Sequence, residues 1–216
     1  MEPTTDRLKT PRAAGLAGVA FALLLAAAIV LLRIAVPSGS ADETIDPDRR
    51  WAIQVALEIV PFAGIFFLWF MGALRAHTGP AEDRFVATVF LGSGFVFVAT
   101  LFAAAAAAGT VLSEATPSDF GRHYAYTLLA TYAMRVAAVF VLATSTIARM
   151  LGVFPRSLAL LGTLIGLVLL VIGSGVPWSE LLFPFWALVI SLHILRGRRG
   201  NPPAAPKPAR TPPDPA

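Results

Sequence analysis

The sequence predicts an all-α fold: a polytopic integral membrane bundle of six transmembrane helices with short loops. Three observations predict it. The 216 residues are 56% hydrophobic and only 14% charged, whereas soluble domains carry about 25% charged residues. Mean hydropathy is +0.72, an apolar surplus larger than a soluble core of this length can bury. Finally, the apolar residues fall into separate runs divided by short polar stretches rich in Gly, Pro, Asp and Arg, the pattern of successive crossings.

The elements follow in order. Residues 1–12 form a polar segment with Arg7, Lys9 and Arg12. The first span, about 15–36, holds 22 residues, or about 33 Å of helix, enough for the hydrocarbon core. It exceeds the roughly 7–15 residues of a signal-peptide apolar region, so it reads as an uncleaved helix, with Arg33 snorkelling to the interface. An acidic loop from Pro37 to Arg50 leads to Trp51, an interfacial marker. The second span is about 52–74, and a turn at Gly79-Pro80 leads to the third, about 85–111. Gly92, Ser93, Gly94 and the run Ala103 to Ala108 give the third span a small-residue face for close packing.

Tyr124 and Tyr126 open the fourth span, about 124–148. The fifth, about 157–173, contains Gly162-x-x-x-Gly166, a weak helix-packing motif. The sixth, about 181–195, is the shortest. Residues 196–216 are basic and Pro-rich, and predict a disordered tail. On this scheme twelve Lys and Arg residues lie on the side of the termini and three on the other, which places both termini in the cytoplasm. The Ala-rich, lysine-poor composition suits a bacterium, hence the cytoplasmic membrane.

Two charges inside spans are the chemical candidates. Glu58 lies about 10 Å below Trp51, with Gln54 one turn above it. Pro61 lacks an N–H, so the Leu57 carbonyl loses its helical donor. Arg135 lies about 16 Å below Tyr124, at the foot of a stripe with Thr127 and Thr131. Two spans running in one direction with an offset of about 6 Å predict a Glu58–Arg135 pair. The alternative is that Arg135 uses backbone carbonyls and Glu58 pairs with Arg33. A cation or proton site at Glu58, Gln54, Pro61, Arg135 and Thr131 would make the chain a small transporter, the second reading. The first is a non-enzymatic scaffold, accessory or partner-binding subunit.

The remaining motifs exclude more than they offer. Without cysteine there are no disulfides and no thiolate chemistry. Ser93 between two glycines is compared with intramembrane serine proteases, but Leu91 stands where their first glycine belongs and His193 is remote. His77, His123 and His193 do not converge as haem or metal ligands. No cofactor, metal or nucleic-acid partner is expected; the expected partners are the lipid bilayer and a protein partner or homo-oligomer. Residues 58 to 108, with EIVPFAGIFFLWFMGALR, EDRF and TVFLGSGFVFV, resemble a group of bacterial multi-span proteins known only as hypothetical membrane proteins. The resemblance implies a membrane fold and no activity.

Overall fold

The computed structural model describes residues 10–36, 47–78, 84–114, 118–172, 176 and 178–196. The expected loops at 37–46, 79–83 and 115–117, the N-terminal residues 1–9 and the tail from 197 lie outside the described residues, and with them the expected disorder of the tail. The described residues are helical apart from short connections such as residues 152–155, without a strand. Seven α-helices follow in order: α1 (Thr10–Ala35), α2 (Arg50–Thr78), α3 (Arg84–Ser113), α4 (Asp119–Tyr126), α5 (Met134–Leu151), α6 (Arg156–Val171) and α7 (Leu182–Arg196). A seven-residue π-helical segment, Thr127–Ala133, joins α4 to α5 without a break. Short 3-10 turns precede α2 and α7.

Among the described residues, five helical stretches are long and apolar enough to cross a membrane: Gly15–Ala35, Pro47–Arg75, Phe85–Ser113, Asp119–Leu151 and Ser179–Arg196. The short apolar helix is α6, at 16 residues. The sequence put the shortfall in the last span. The 3-10 turn at Ser179–Leu181 lengthens that span, while α6 stops at Val171. Helices are the form that lets a backbone satisfy its own polar groups where water is absent. Several side-chain hydroxyls follow suit. Thr100, Thr144, Thr163 and Ser191 each donate to the carbonyl four residues back, at 2.6–2.9 Å, which spares them a partner across the bundle.

The helices form a ring. α1 packs on α2 and α7, α3 lies between α2 and α5, and α6 lies on α5 with a lighter contact to α7. Five of them send rings to the centre. Phe67 of α2 lies 4.9 Å from Phe21 of α1, 5.0 Å from Phe97 of α3 and 5.0 Å from Phe140 of α5, centroid to centroid. Phe183 of α7 lies 5.0 Å from Phe97 and stacks with Trp186. All these rings are buried. Their tilted and edge-to-face geometries are the favoured ones, each adding about 0.5–1.5 kcal/mol beyond area. In lipid that matters, because the hydrophobic drive between helices is gone and packing takes its place.

Small residues let the backbones close on this cluster. A Cβ on Gly18 would strike Phe70 and Ser191, and one on Gly94 would strike Met71. Gly162 packs against Ser145 and Trp186, and Gly166 against Leu142. The Gly162-x-x-x-Gly166 motif therefore serves packing within this chain, α6 on α5. Gly92 does not. It is exposed, with nothing within 4 Å of a Cβ built there, because it lies on the far side of α3 from Gly94. Ala103 to Ala108 also departs from expectation: Ala104, Ala105 and Ala108 line a cavity instead of closing on a helix.

Candidate functional site: charges and cavity

Charged side chains inside the spans fall into two groups, one outside the ring and one at its end. Glu58 is on the outer face of α2, in an exposed stripe with Trp51, Gln54, Pro61, Phe62, Ile65 and Trp69. The opposite stripe, Ala52, Ala56, Val60, Ala63 and Phe67, faces inward. Spacings of 3 and 4 give each stripe one helix face. Arg135, in the first turn of α5, is exposed as well, while Met134, Ala137, Ala138 and Val141 take the inner face.

The predicted Glu58–Arg135 pair is therefore not made within the chain. Neither residue forms a hydrogen bond or ion pair with a described residue, and α3 packs between their helices. The stripe of Thr127, Thr131 and Arg135 crosses a change of helix type. The π segment covers the first two, and Thr127 is exposed like Arg135. Thr131 is half-buried. Pro61 sits within α2 on the exposed face, where the freed Leu57 carbonyl meets no helical donor.

The buried pair is a different one. Arg33 Nη2 donates to Glu180 Oε1 at 2.5 Å, with the residues 8% and 7% exposed. Arg33 occupies the last turn of α1. Glu180 is brought to it by the turn before α7, where Trp178 takes a left-handed φ of 71°. That conformation is unusual for a bulky residue. It reverses the chain and points Ser179 and Glu180 inward, both buried. The second carboxylate oxygen, Glu180 Oε2, is buried without a hydrogen-bond partner. Arg33 is thus bound into the bundle by an acid from the far end of the chain instead of snorkelling. One signal was available in the sequence: Arg33 closes one apolar run and Glu180 adjoins the start of another at the same end of the bundle.

Above the aromatic cluster this end is hollow. A cavity of about 150 Å³ lies between α1, α2, α3 and the α4–π segment. Leu25 and Leu101, one turn beyond Phe21 and Phe97, begin its wall, and Ala28, Ala56 and Ala104 continue it. Its charged lining residues are Arg33, Glu180 and Arg122. Arg122 Nη2 donates to Asp119 Oδ1, an acid whose side chain is 83% exposed. The rim is tied by arginines. Arg50 Nη2 donates to the Leu112 carbonyl at 2.7 Å and Arg49 Nη1 to the Ile34 carbonyl at 3.3 Å. Each cation thereby caps the negative end of a helix.

The other motifs stay structural. Ser93 Oγ donates to the Val89 carbonyl at 2.7 Å and also reaches the Phe90 carbonyl. His193 meets the Phe154 ring edge-on, and His123 Nδ1 faces the Asp119 carbonyl. Among the described residues no group of three His, Asp or Glu side chains could hold a metal. Comparison with family models, with curated proteins and with solved structures finds no match.

Proposed function

We propose that the chain is a non-enzymatic, multi-pass subunit of a bacterial cytoplasmic membrane that assembles with further copies of itself through its lipid-facing charges. It makes six crossings, α6 being the short one, with both termini cytoplasmic. The observation that carries the assembly is the exposure of Glu58 and Arg135, two opposite charges on the outer faces of α2 and α5 with no partner among the described residues. Each costs about 2.5–3.5 kcal/mol to insert at mid-membrane, and such residues almost always face a bundle interior or a partner. Copies inserted in one orientation hold their charges at fixed depths, offset by about 6 Å, within the reach of the two side chains. Glu58 of one copy then meets Arg135 of the next, a head-to-tail contact that closes into a ring when the rotation permits. The transport reading loses its internal site, since the same residues face away from the ring of helices.

A charge swap tests this. In lipid nanodiscs, native mass spectrometry of the full chain reads the oligomer. Glu58→Arg or Arg135→Glu alone shifts it to monomer, and the double swap restores it. A wild-type chain that is monomeric at all concentrations overturns the reading.

A further inference from the structure

We propose that the cavity at the Arg33 end is a binding site for a single-chain amphiphile whose head donates hydrogen bonds to Glu180 and carries an anionic group beside Arg122. The inference stands independently of the assembly through Glu58 and Arg135.

Three features define the ligand. The cavity's volume, about 150 Å³, is room for roughly ten water-sized positions. Its wall of Leu25, Ala28, Ala56, Leu101 and Ala104 offers such waters no partners. An apolar wall of that size takes an alkyl chain. The second feature is Glu180 Oε2, an acceptor with no donor on a residue 7% exposed. Since Arg33 occupies only Oε1, Oε2 needs an N–H or O–H, and a buried acceptor left alone is costly. A head bearing acceptors alone does not meet this need.

Charge supplies the third feature. Arg122 brings a guanidinium to the lining beside its pair with Asp119. A guanidinium meets a phosphate as it meets a carboxylate, so an anionic group next to the donor fits there. A head with both, such as phosphoethanolamine, meets the two requirements at once. A phosphocholine head has the same anion and no N–H.

Ala104 is buried against the cavity, so Ala104→Phe fills the space from a helix already in place. Glu180→Gln removes the charged acceptor. The experiment uses the full chain in diacyl-phosphatidylcholine nanodiscs, titrated with lysophosphatidylethanolamine or lysophosphatidylcholine of equal chain length. Native mass spectrometry counts bound lysolipid. We expect one ethanolamine lysolipid per chain, with the choline lysolipid weaker by on the order of tenfold, the worth of one hydrogen bond to a charged group. Ala104→Phe abolishes both, and Glu180→Gln removes the preference between them. If Glu180→Gln fails to fold, the headgroup preference and the Ala104→Phe arm still decide. Equal binding of the two heads overturns the donor assignment. Undiminished binding in a folded Ala104→Phe overturns the site.

Discussion

The two halves of the bundle are built from the same helices and filled differently. In one half, rings from α1, α2, α3, α5 and α7 meet around Phe67. In the other, alanines face a hollow of about 150 Å³ closed by charged groups. The change happens within single helices. On α3 the inward residues run Phe90, Phe97 and Leu101, then Ala104 and Ala108. On α1 they run from Phe21 to Leu25 and Ala28. Lipid gives no general reason for helices to collapse on a gap, so a helix pair held together by its aromatic half tolerates space in the other. Unfilled, a void of that size costs about 3–4 kcal/mol by the soluble-protein scale. The hollow half is therefore where the fold gives up stability for something to enter.

The largest expected effect lies at the end of the hollow half. Removing one member of the buried Arg33–Glu180 pair, by Arg33→Met or Glu180→Leu, orphans a charge and should cost about 3–5 kcal/mol. Arg33→Met with Glu180→Leu should recover most of that loss. Thermal unfolding of the four proteins in one detergent measures the cycle. Additive losses would mean that the two groups do not depend on each other.

Next come paired size changes in the two halves. Phe67→Ala empties the ring cluster and should lose about 3–5 kcal/mol. Ala104→Phe adds the same group to the hollow half and should be neutral or stabilising. Equal destabilisation by both would mean that the two halves are equally packed. A smaller effect is expected at Gly162→Ala, where the new methyl meets Ser145 and Trp186. Overpacking there should cost about 1–3 kcal/mol, whereas Gly92→Ala, with open space, should not destabilise. Melting temperatures of the two variants separate a packed glycine from a free one.

The long helices were legible in the sequence because lipid imposes one rule, a continuous apolar run of sufficient length. That rule reads each helix alone. It says nothing of which way a helix is rotated, and rotation sets the partner of each charge. Depth counting made Glu58 and Arg135 neighbours, but the inner faces of α2 and α5 were already taken by alanines and rings. Glu180 escaped because an apolar count starts the last span at Leu181 and leaves the acid in a loop. The turn that buries it depends on the left-handed Trp178, a residue whose type gives no hint of that conformation. The alanine run of α3 was read as a packing face, since small residues line both tight contacts and cavities, and composition alone does not tell the two apart.

The smallest expected effect is the sharpest test of where the outer charges lie. Glu58 is exposed on α2 and makes no polar contact with a described residue. In detergent that keeps the chain monomeric, headgroups and water reach its carboxylate. Glu58→Gln then removes no interaction within the fold and should change stability by less than about 0.5 kcal/mol, the range of surface substitutions. Arg135→Gln should behave alike, and the double variant should equal the sum, since α3 stands between the two helices. An intrachain pair requires the reverse: single losses of several kcal/mol and a strong coupling. The same substitutions made in a bilayer should weaken self-association while leaving the monomer's melting unchanged. Monomer stability and assembly then report separately on two residues that the sequence alone joins into one site.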